Sequence, residues 1–269
     1  MRTPWPTFDP AFEQRWAQRA QPAPTDARTP LWLGGVVVGS VAHAMLEHLS
    51  REGFQPGWRW MPSDWGDVLY LPEDPTTTFA ALRQHLFNPG QGGLPEAERL
   101  PLWDDQGRVH GAVPRDLARY LGVHTHSVHV LGWQGDACWV QERAANKAED
   151  PGRLDTLVGG TVAWNEHPSA TLVREAWEEA GLGLRQLVNL TAFGPIELNK
   201  PSGDARGWGQ TVETIHCYSA ELEAGVEPLN QDGEVAAFYR FEREALTHAL
   251  EADRFTLAAT GVFLRVLQA

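Results

Sequence analysis

Cysteine is almost absent from this chain: Cys138 and Cys217 are the two in 269 residues. Each falls in an apolar, strand-like run, which predicts buried free thiols in a reducing compartment, with a disulfide between them as the other option. No apolar run approaches the roughly 18 residues of a membrane-spanning helix. The N-terminal MRTPWPTFDPAFEQRW has no continuous apolar core of the signal-peptide kind, so a soluble, cytoplasmic protein is the expectation. Basic residues are outnumbered, with a formal net charge of -13. That excess of acid excludes non-specific binding to nucleic acid or to an anionic membrane, both of which need a basic surface. Handling a polyanion would take local neutralisation by metal ions or by a few placed Arg and Lys. Internal repeats of solenoid or propeller period are missing, and so is any familiar Cys/His zinc spacing.

What remains is ordinary for a globular chain: 42% hydrophobic and 21% charged residues, at a length that suits one large domain or two modest ones. The first 30 residues are Pro-rich and polar, and QPAPTDARTP (21–30) reads as a connector. Helices are predicted over 40–51, where Val41, Met45, Leu46 and Leu49 recur at helical spacing, over 78–87, and over 114–121 behind Pro114. NPGQGGLPEAERLP (88–101) is loop-like in composition. From about 125 the pattern turns β-rich. SVHVLGW (127–133) and ACWVQERA (137–144) flank a turn to make a hairpin, and LTAFGPIEL (190–198), ETIHCYSAEL (213–222) and VAAFYRF (235–241) are further strands. A terminal helix follows Phe255-Thr256. The mixture indicates an α/β or α+β layered fold with a domain boundary near 123. The N-terminal part carries Trp5, Trp16, Trp32, Trp58, Trp60, Trp65 and Trp103, read as core filling in preference to a ring-stacking platform.

One stretch is unusual. REAWEEAGL (174–182) sets Glu175, Glu178 and Glu179 at i, i+3 and i+4, where like charges repel. Pro168 suits the first turn of this helix and Gly181 its left-handed end. Ala170, Val173, Ala176, Trp177 and Ala180 form an apolar side that would anchor the helix, leaving the glutamates facing outward together. A solvated acidic face is the plain explanation. The alternative comes from LVGGTVAWNE just upstream, where Gly159-Gly160 permits close backbone approach and Glu166 adds a fourth carboxylate. Carboxylates with a backbone carbonyl make a hard-oxygen site for Mg²⁺, which keeps waters and substrate phosphates as its other ligands.

Gly160, Glu166 and Arg174-Glu175-Ala176-Trp177-Glu178-Glu179-Ala180-Gly181-Leu182 resemble the Nudix signature G-x5-E-x7-R-E-U-x-E-E-x-G-U. Every charged and glycine position matches; Ala176 stands where a bulky aliphatic is usual, and Asn165 where glycine is common. ERAANK (142–147), PGRLDTLVGG (151–160), NQDGEVAAF (230–238) and RFTLAATGVFL (254–264) extend the resemblance to a thiamine-pyrophosphokinase-associated subgroup. The resemblance implies an α/β fold, a Nudix α/β/α sandwich with a mixed sheet over 123–269. A smaller α+β domain precedes it over 1–122 and is a candidate cap on the substrate.

By the same resemblance, Glu175 and Glu179 are Mg²⁺ ligands, with Mn²⁺ an alternative ion. Glu178 is a further ligand or the water-activating base, and the Gly160 carbonyl joins the metal shell. Arg174 orients the carboxylates, and Glu166 is a structural member of the motif. Arg143 and Lys147, in the matching ERAANK stretch, are candidates for holding substrate phosphates, or else mark an exposed strand end. Glu234 is a candidate extra carboxylate or a turn residue. Trp208, in GDARGWGQ (203–210), is a candidate to stack on a heteroaromatic ring. His126, His129 and His216 are read as hydrogen-bonded structural histidines.

The implied reaction is attack of a metal-activated water on a small-molecule diphosphate. Thiamine diphosphate or its oxo and oxy forms come first as substrate, and ADP-ribose, a nucleotide sugar or another nucleoside diphosphate derivative second. A non-catalytic sensor of the same fold is the third reading, disfavoured because all three glutamates are present. A faint similarity to isopentenyl diphosphate isomerase is set aside, since neither cysteine lies in that family's motif. Neither nucleic acid nor membrane is expected as a partner, and homodimerisation stays open.

Overall fold

The structure, a computed structural model, describes residues 8–22, 27–64, 66–87, 97–147, 149–202 and 206–269. Trp5, Trp65, most of the loop-like 88–101 stretch, part of the 21–30 connector and the start of GDARGWGQ lie outside the described residues.

The chain opens with a helix in what its composition marks only as a polar segment: α1, Pro10–Ala20, capped by Asp9, whose Oδ1 accepts from the Ala11 N–H at 2.9 Å. Next come β1 (Arg28–Leu33), β2 (Val36–Ala42), α2 (His43–Arg51), β3 (Arg59–Ser63) and β4 (Gly66–Tyr70). The four strands form a sheet in the order β2-β1-β4-β3, with β1 and β4 parallel. α3 (Thr76–Phe87) follows, then a ribbon of β5 (Arg99–Trp103) and β6 (Val109–Pro114), then one turn of helix, α4 (Arg115–Ala118). α4 is shorter than the predicted 114–121.

The second sheet has eight strands and is mixed. β7 (His124–Gln134), β8 (Ala137–Arg143), β9 (Leu154–Asp155), β10 (Val158–Thr161), β11 (Val188–Ala192), β12 (Ile196–Pro201), β13 (Gln210–Glu221) and β14 (Val235–Phe241) belong to it. The main order is β11-β13-β7-β8-β14, with β10 on β7, β12 on β13 and β9 on β8. Only the β13–β7 pair is parallel. The stretch read as one strand over 190–198 is two, β11 and β12, separated at Phe193-Gly194-Pro195; Pro195 has no N–H to give to a ladder. The acidic helix, α5 (Pro168–Ala180), covers one face. The other face carries α6 (Arg243–Glu251), which the sequence pattern did not announce, and α7 (Leu257–Leu267), capped by the Thr256 hydroxyl. Two layers of helix on a mixed sheet make this an α/β sandwich.

Each face of the sandwich has its own apolar core. Val128 and Val130 of β7 pack with Leu172, Ala176 and Ala180 of α5. On the opposite face, Leu131, Val140 and Ile215 pack with α6 and α7, joined by Phe8, Phe12 and Ala20 from the chain's start. α1 therefore belongs with the second sheet although it precedes the first: the Trp16 Nε1–H donates to the Leu257 carbonyl at 2.8 Å. A third core fills the region of α2, α3 and the first sheet, and it takes in Trp208 from the far end of the chain. Of the N-terminal tryptophans described, Trp16 and Trp58 are partly buried against apolar cores, and Trp60 is exposed.

Trp16→Ala removes a donor and half-buried ring that tie α1 to α7. It is expected to cost about 2–3 kcal/mol of unfolding free energy, read as a lower urea midpoint at unchanged slope. An unchanged midpoint would mean that α1 docks without contributing.

Candidate active site

α5 starts at Pro168 and stops at Gly181, whose φ of 64° lets the Leu182 N–H return to the Ala176 carbonyl at 2.9 Å. Its orientation corrects the expectation from sequence. Trp177 is 58% exposed and Val173 faces solvent, while Glu175 is 7% and Glu179 1% exposed. The small Ala176 and Ala180 with Leu172 are the face that packs. At about 100° per residue, Glu175 and Glu179 fall within about 60° of Leu172 and go in with it. Only Glu178 of the three remains partly open to water. Ala176 in the bulky-aliphatic position is what lets the helix lie close on β7.

Burial beside other carboxylates is opposed by placed donors. Glu179 Oε2 accepts from the Gly159 N–H at 2.8 Å and from Gln141 Nε2 at 3.1 Å. Arg174 spans the rest: Nε and Nη2 grip both Glu166 oxygens at 2.9 Å, and Nη1 reaches Glu175 Oε1 at 2.8 Å and Glu178 Oε2 at 2.9 Å. The Thr171 hydroxyl adds a bond to Glu166 at 2.8 Å. Arg174 and Thr171 hold the Glu166 carboxyl below its ordinary range. Burial, only partly countered by Arg174, pushes Glu175 up to about 7. Burial and the neighbouring Glu175 charge push Glu179 up to about 8.

The glycine pair sits within strand β10, paired with β7, and its need for glycine is geometric. A Cβ on Gly160 would sit 2.0 Å from the Glu175 carboxyl, so the close approach of β10 to α5 requires glycine there. Asn165 adopts φ 67°, a left-handed conformation that Asn tolerates better than most residues, so it can stand where glycine is common.

These groups border a cleft of about 550 Å³. Gly160, Glu166, Arg174, Glu175 and Glu178 line it, as do Arg143, Lys147 and Glu234. Glu179 lies beneath the floor, under Gly159. Lys147 is ion-paired with Glu234, and Arg143 donates to Asp155 Oδ2 at 3.2 Å and to the Glu149 carbonyl. Trp208 is the site candidate that the structure removes: it is 9% exposed, packed in the first-sheet core against His48 at 4.8 Å and under Arg206. An indole so enclosed has no free face for a ligand ring.

The three histidines are hydrogen-bonded, as read from sequence. His126 Nδ1 faces His216 Nε2 at 3.1 Å, and His129 Nδ1 meets the Thr156 hydroxyl at 2.9 Å. Residues that sequence reasoning missed are Gln141, Asp155, and Glu98, Arg115 and Arg119 from around β5 and α4. Arg115 and Arg119 line the cleft, paired with Glu98 and Glu149. Asp155 stands in the quoted PGRLDTLVGG stretch and could have been flagged there; the two arginines carry no local signal.

The donor set suits a divalent cation. Three carboxylates gather beside the glycine pair of β10, two of them are buried and protonate abnormally easily, and the Gln141 Oε1 beside them is buried with no hydrogen-bond partner among the described residues. Glu175, Glu178 and the Gly160 carbonyl would hold such an ion from the cleft side and Glu179 from beneath.

The pH dependence follows in sign. Both buried carboxylates bind protons more tightly when folded, so their contribution to stability is full below about pH 4.5 and is lost as pH rises through about 7 to 8. A cation relieves the repulsion only where both are ionised. Millimolar Mg²⁺ is therefore expected to raise Tm by about 4 °C more at about pH 8.5 than at about pH 5.5, measured by calorimetry. Equal shifts at both would place the ion elsewhere.

The NUDIX domain family matches residues 123–259, just over half of the chain. Among curated relatives, Nudix hydrolase 24, chloroplastic, of Arabidopsis thaliana is 31% identical over 131 residues, 47% of this chain and 35% of that protein. Nudix hydrolase 20, chloroplastic, of the same plant is 29% identical over 179 residues, 64% of this chain and 46% of that protein. An uncharacterised Nudix hydrolase of Pseudomonas aeruginosa is 32% identical over 161 residues, 59% of this chain and 85% of that protein. This chain thus spans less than half the length of the two plant relatives. A crystal structure from Deinococcus radiodurans is similar with a TM-score of 0.48 and 21% identity, over 64% of this chain and 98% of that one. By its matched domain, on the sheet and helix described above, the chain belongs to the NUDIX domain family.

Proposed function

We propose that the chain is a metal-dependent hydrolase of phosphoric anhydrides, and that it acts on thiamine diphosphate or its oxo and oxy forms to release the monophosphate and phosphate. The observation that carries the reading is the presence, in one cleft, of carboxylates from α5 together with Arg143, Lys147, Arg115 and Arg119. A non-catalytic sensor has no use for two inward carboxylates, whose burial costs on the order of several kcal/mol.

Hydrolysis adds water across one P–O–P bridge. The water oxygen bonds to one phosphorus, the bridging oxygen departs on the other, and a water proton passes to a carboxylate. Mg²⁺ or Mn²⁺, when bound, supplies neutralisation of the phosphate oxygens and a more acidic water. Glu178, the most accessible of the three glutamates, would take the proton. Arg174 fixes Glu166, Glu175 and Glu178 in one arrangement, which its rigid fork does better than a lysine would. Arg143 and Lys147 would hold the phosphate oxygens, exchanging their present carboxylate partners for the substrate. The free, buried Cys138 and Cys217 fit a reducing compartment such as the cytoplasm. Among the described residues no helix is long and apolar enough to cross a membrane.

The test is product release from a panel of thiamine diphosphate, its oxo and oxy forms, ADP-ribose and a nucleotide sugar, with Mg²⁺ and with EDTA. Turnover that EDTA abolishes and that favours the thiamine compounds is expected; preference for ADP-ribose or the nucleotide sugar would replace the substrate assignment. In the same assay Glu179→Gln is expected to lose at least about a hundredfold in kcat. Its fold should persist, since the amide oxygen can still accept from Gly159. Undiminished cleavage by that variant would contradict the proposed metal site.

A further inference from the structure

The cleft does not end at the diphosphate site. A second cavity of about 400 Å³ opens beside it, and the two share Glu98, Arg115, Arg119, Thr161 and Glu213 along their common rim. The second cavity lies between the β5–α4 region and the start of β7 and β13, and its wall is more apolar, with Leu100, Val123 and Val212 among the lining residues. Phosphate-binding chemistry therefore gives way, across one rim, to a space that suits an organic ring.

Two unsatisfied groups mark that space. Glu213 is half-buried and lines both cavities, and among the described residues its carboxylate carries no hydrogen bond or ion pair. His124 lies near enough to feel its charge, but burial lowers that imidazole's pKa and favours the neutral ring. Glu98, Glu149 and Glu234 around the same cleft each hold a cation. Thr211, two residues earlier on β13 and so on the same side of the strand, lines the second cavity; its Oγ1 is buried with no hydrogen-bond partner among the described residues, and the residue is 7% exposed. A half-buried carboxylate without a paired cation is costly to keep unless something charged arrives. Arg115 and Arg119 line both cavities, but each already holds a carboxylate, Glu98 and Glu149 respectively, which leaves Glu213 as the carboxylate of the shared rim that is open to an arriving cation.

We propose that this second cavity receives the non-phosphate end of the substrate, and that it selects a positively charged heteroaromatic ring through Glu213 and a hydrogen-bonding ring substituent through Thr211. Arg115 and Arg119 span the rim and hold the phosphate nearer the ring. The inference rests on the diphosphate-hydrolase reading and deepens it by naming what distinguishes one diphosphate from another. The N-terminal region then has a role as well, because it walls the ring compartment that the second sheet alone leaves open.

The experiment compares wild type, Glu213→Gln and Thr211→Val on three probes with Mg²⁺: thiamine diphosphate, which carries a cationic thiazolium; ADP-ribose, whose base is neutral; and methyl diphosphate, which has no ring. Glu213→Gln is expected to raise KM for thiamine diphosphate about tenfold with kcat within about twofold. The ratio of its kcat/KM on thiamine diphosphate to that on methyl diphosphate should fall by about the same factor, the worth of one partly screened charge pair. Thr211→Val, which keeps the side chain's shape, is expected to lower that ratio about threefold, so the proposal stays testable if one variant folds poorly. An unchanged ratio in both variants, or an equal loss on ADP-ribose, overturns the ring site. Wild type that cleaves none of the three probes overturns the hydrolase reading itself, and this proposal with it.

Discussion

Everything in the site depends on two carboxylates that are folded inward. Glu175 and Glu179 lie on the packing face of α5, a placement that burial and mutual repulsion oppose. The structure holds them there with a small number of strong devices: a backbone N–H from Gly159 of β10, the Gln141 amide, and one arginine shared among three glutamates. Because Arg174 also clamps Glu166 through both oxygens, the loop before the helix is tied to the helix itself. Gly160 then has to be glycine, since the space where its side chain would go is filled by Glu175. The motif is thus a set of mutual constraints on one small volume and not a row of independent ligands.

The second sheet supplies the rigidity this needs. β7 is its central strand: it pairs with β13 in parallel, with β8 and β10 antiparallel, and carries helices on both faces. With β10 registered on β7, the glycine pair cannot drift from α5. Other parts of the cleft lining are assembled differently, from side chains held by ion pairs: Arg115 with Glu98, Arg119 with Glu149, Lys147 with Glu234. Pairs of this exposed kind contribute little to stability and exchange partners readily. One part of the cleft is thus held by the sheet and the Arg174 network, and another by exchangeable ion pairs.

Much of this was legible in the amino-acid sequence, for identifiable reasons. The start and stop of α5 could be read because Pro168 and Gly181 act through local backbone geometry, and β14 begins and ends where VAAFYRF does because its run of apolar and aromatic residues is local too. The direction α5 faces could not be read. An apolar count favours Trp177 and Val173, but packing favours the small Ala176 and Ala180 that let the helix approach the sheet. Trp208 failed for a related reason: its neighbours in sequence are polar and glycine-rich, while its neighbours in space are the core of α2 and the first sheet. The place of Arg115, Arg119 and Glu213 was illegible because it comes from long-range folding, which brings α4 and β13 to the rim of the same cleft. The first helix was hidden by its prolines and charges, although Asp9-Pro10 is a fair start signal in retrospect.

If the inward glutamates are arranged around a divalent cation, the ion itself can be located by anomalous diffraction at the manganese edge, from crystals of the intact chain grown with Mn²⁺. The expected result is a peak bounded by Glu175, Glu178, Glu179 and the Gly160 carbonyl, with Arg174 still gripping Glu166. Crystals that hold no Mn²⁺ there, with both buried carboxylates remaining on Gly159, Gln141 and Arg174 alone, would contradict it.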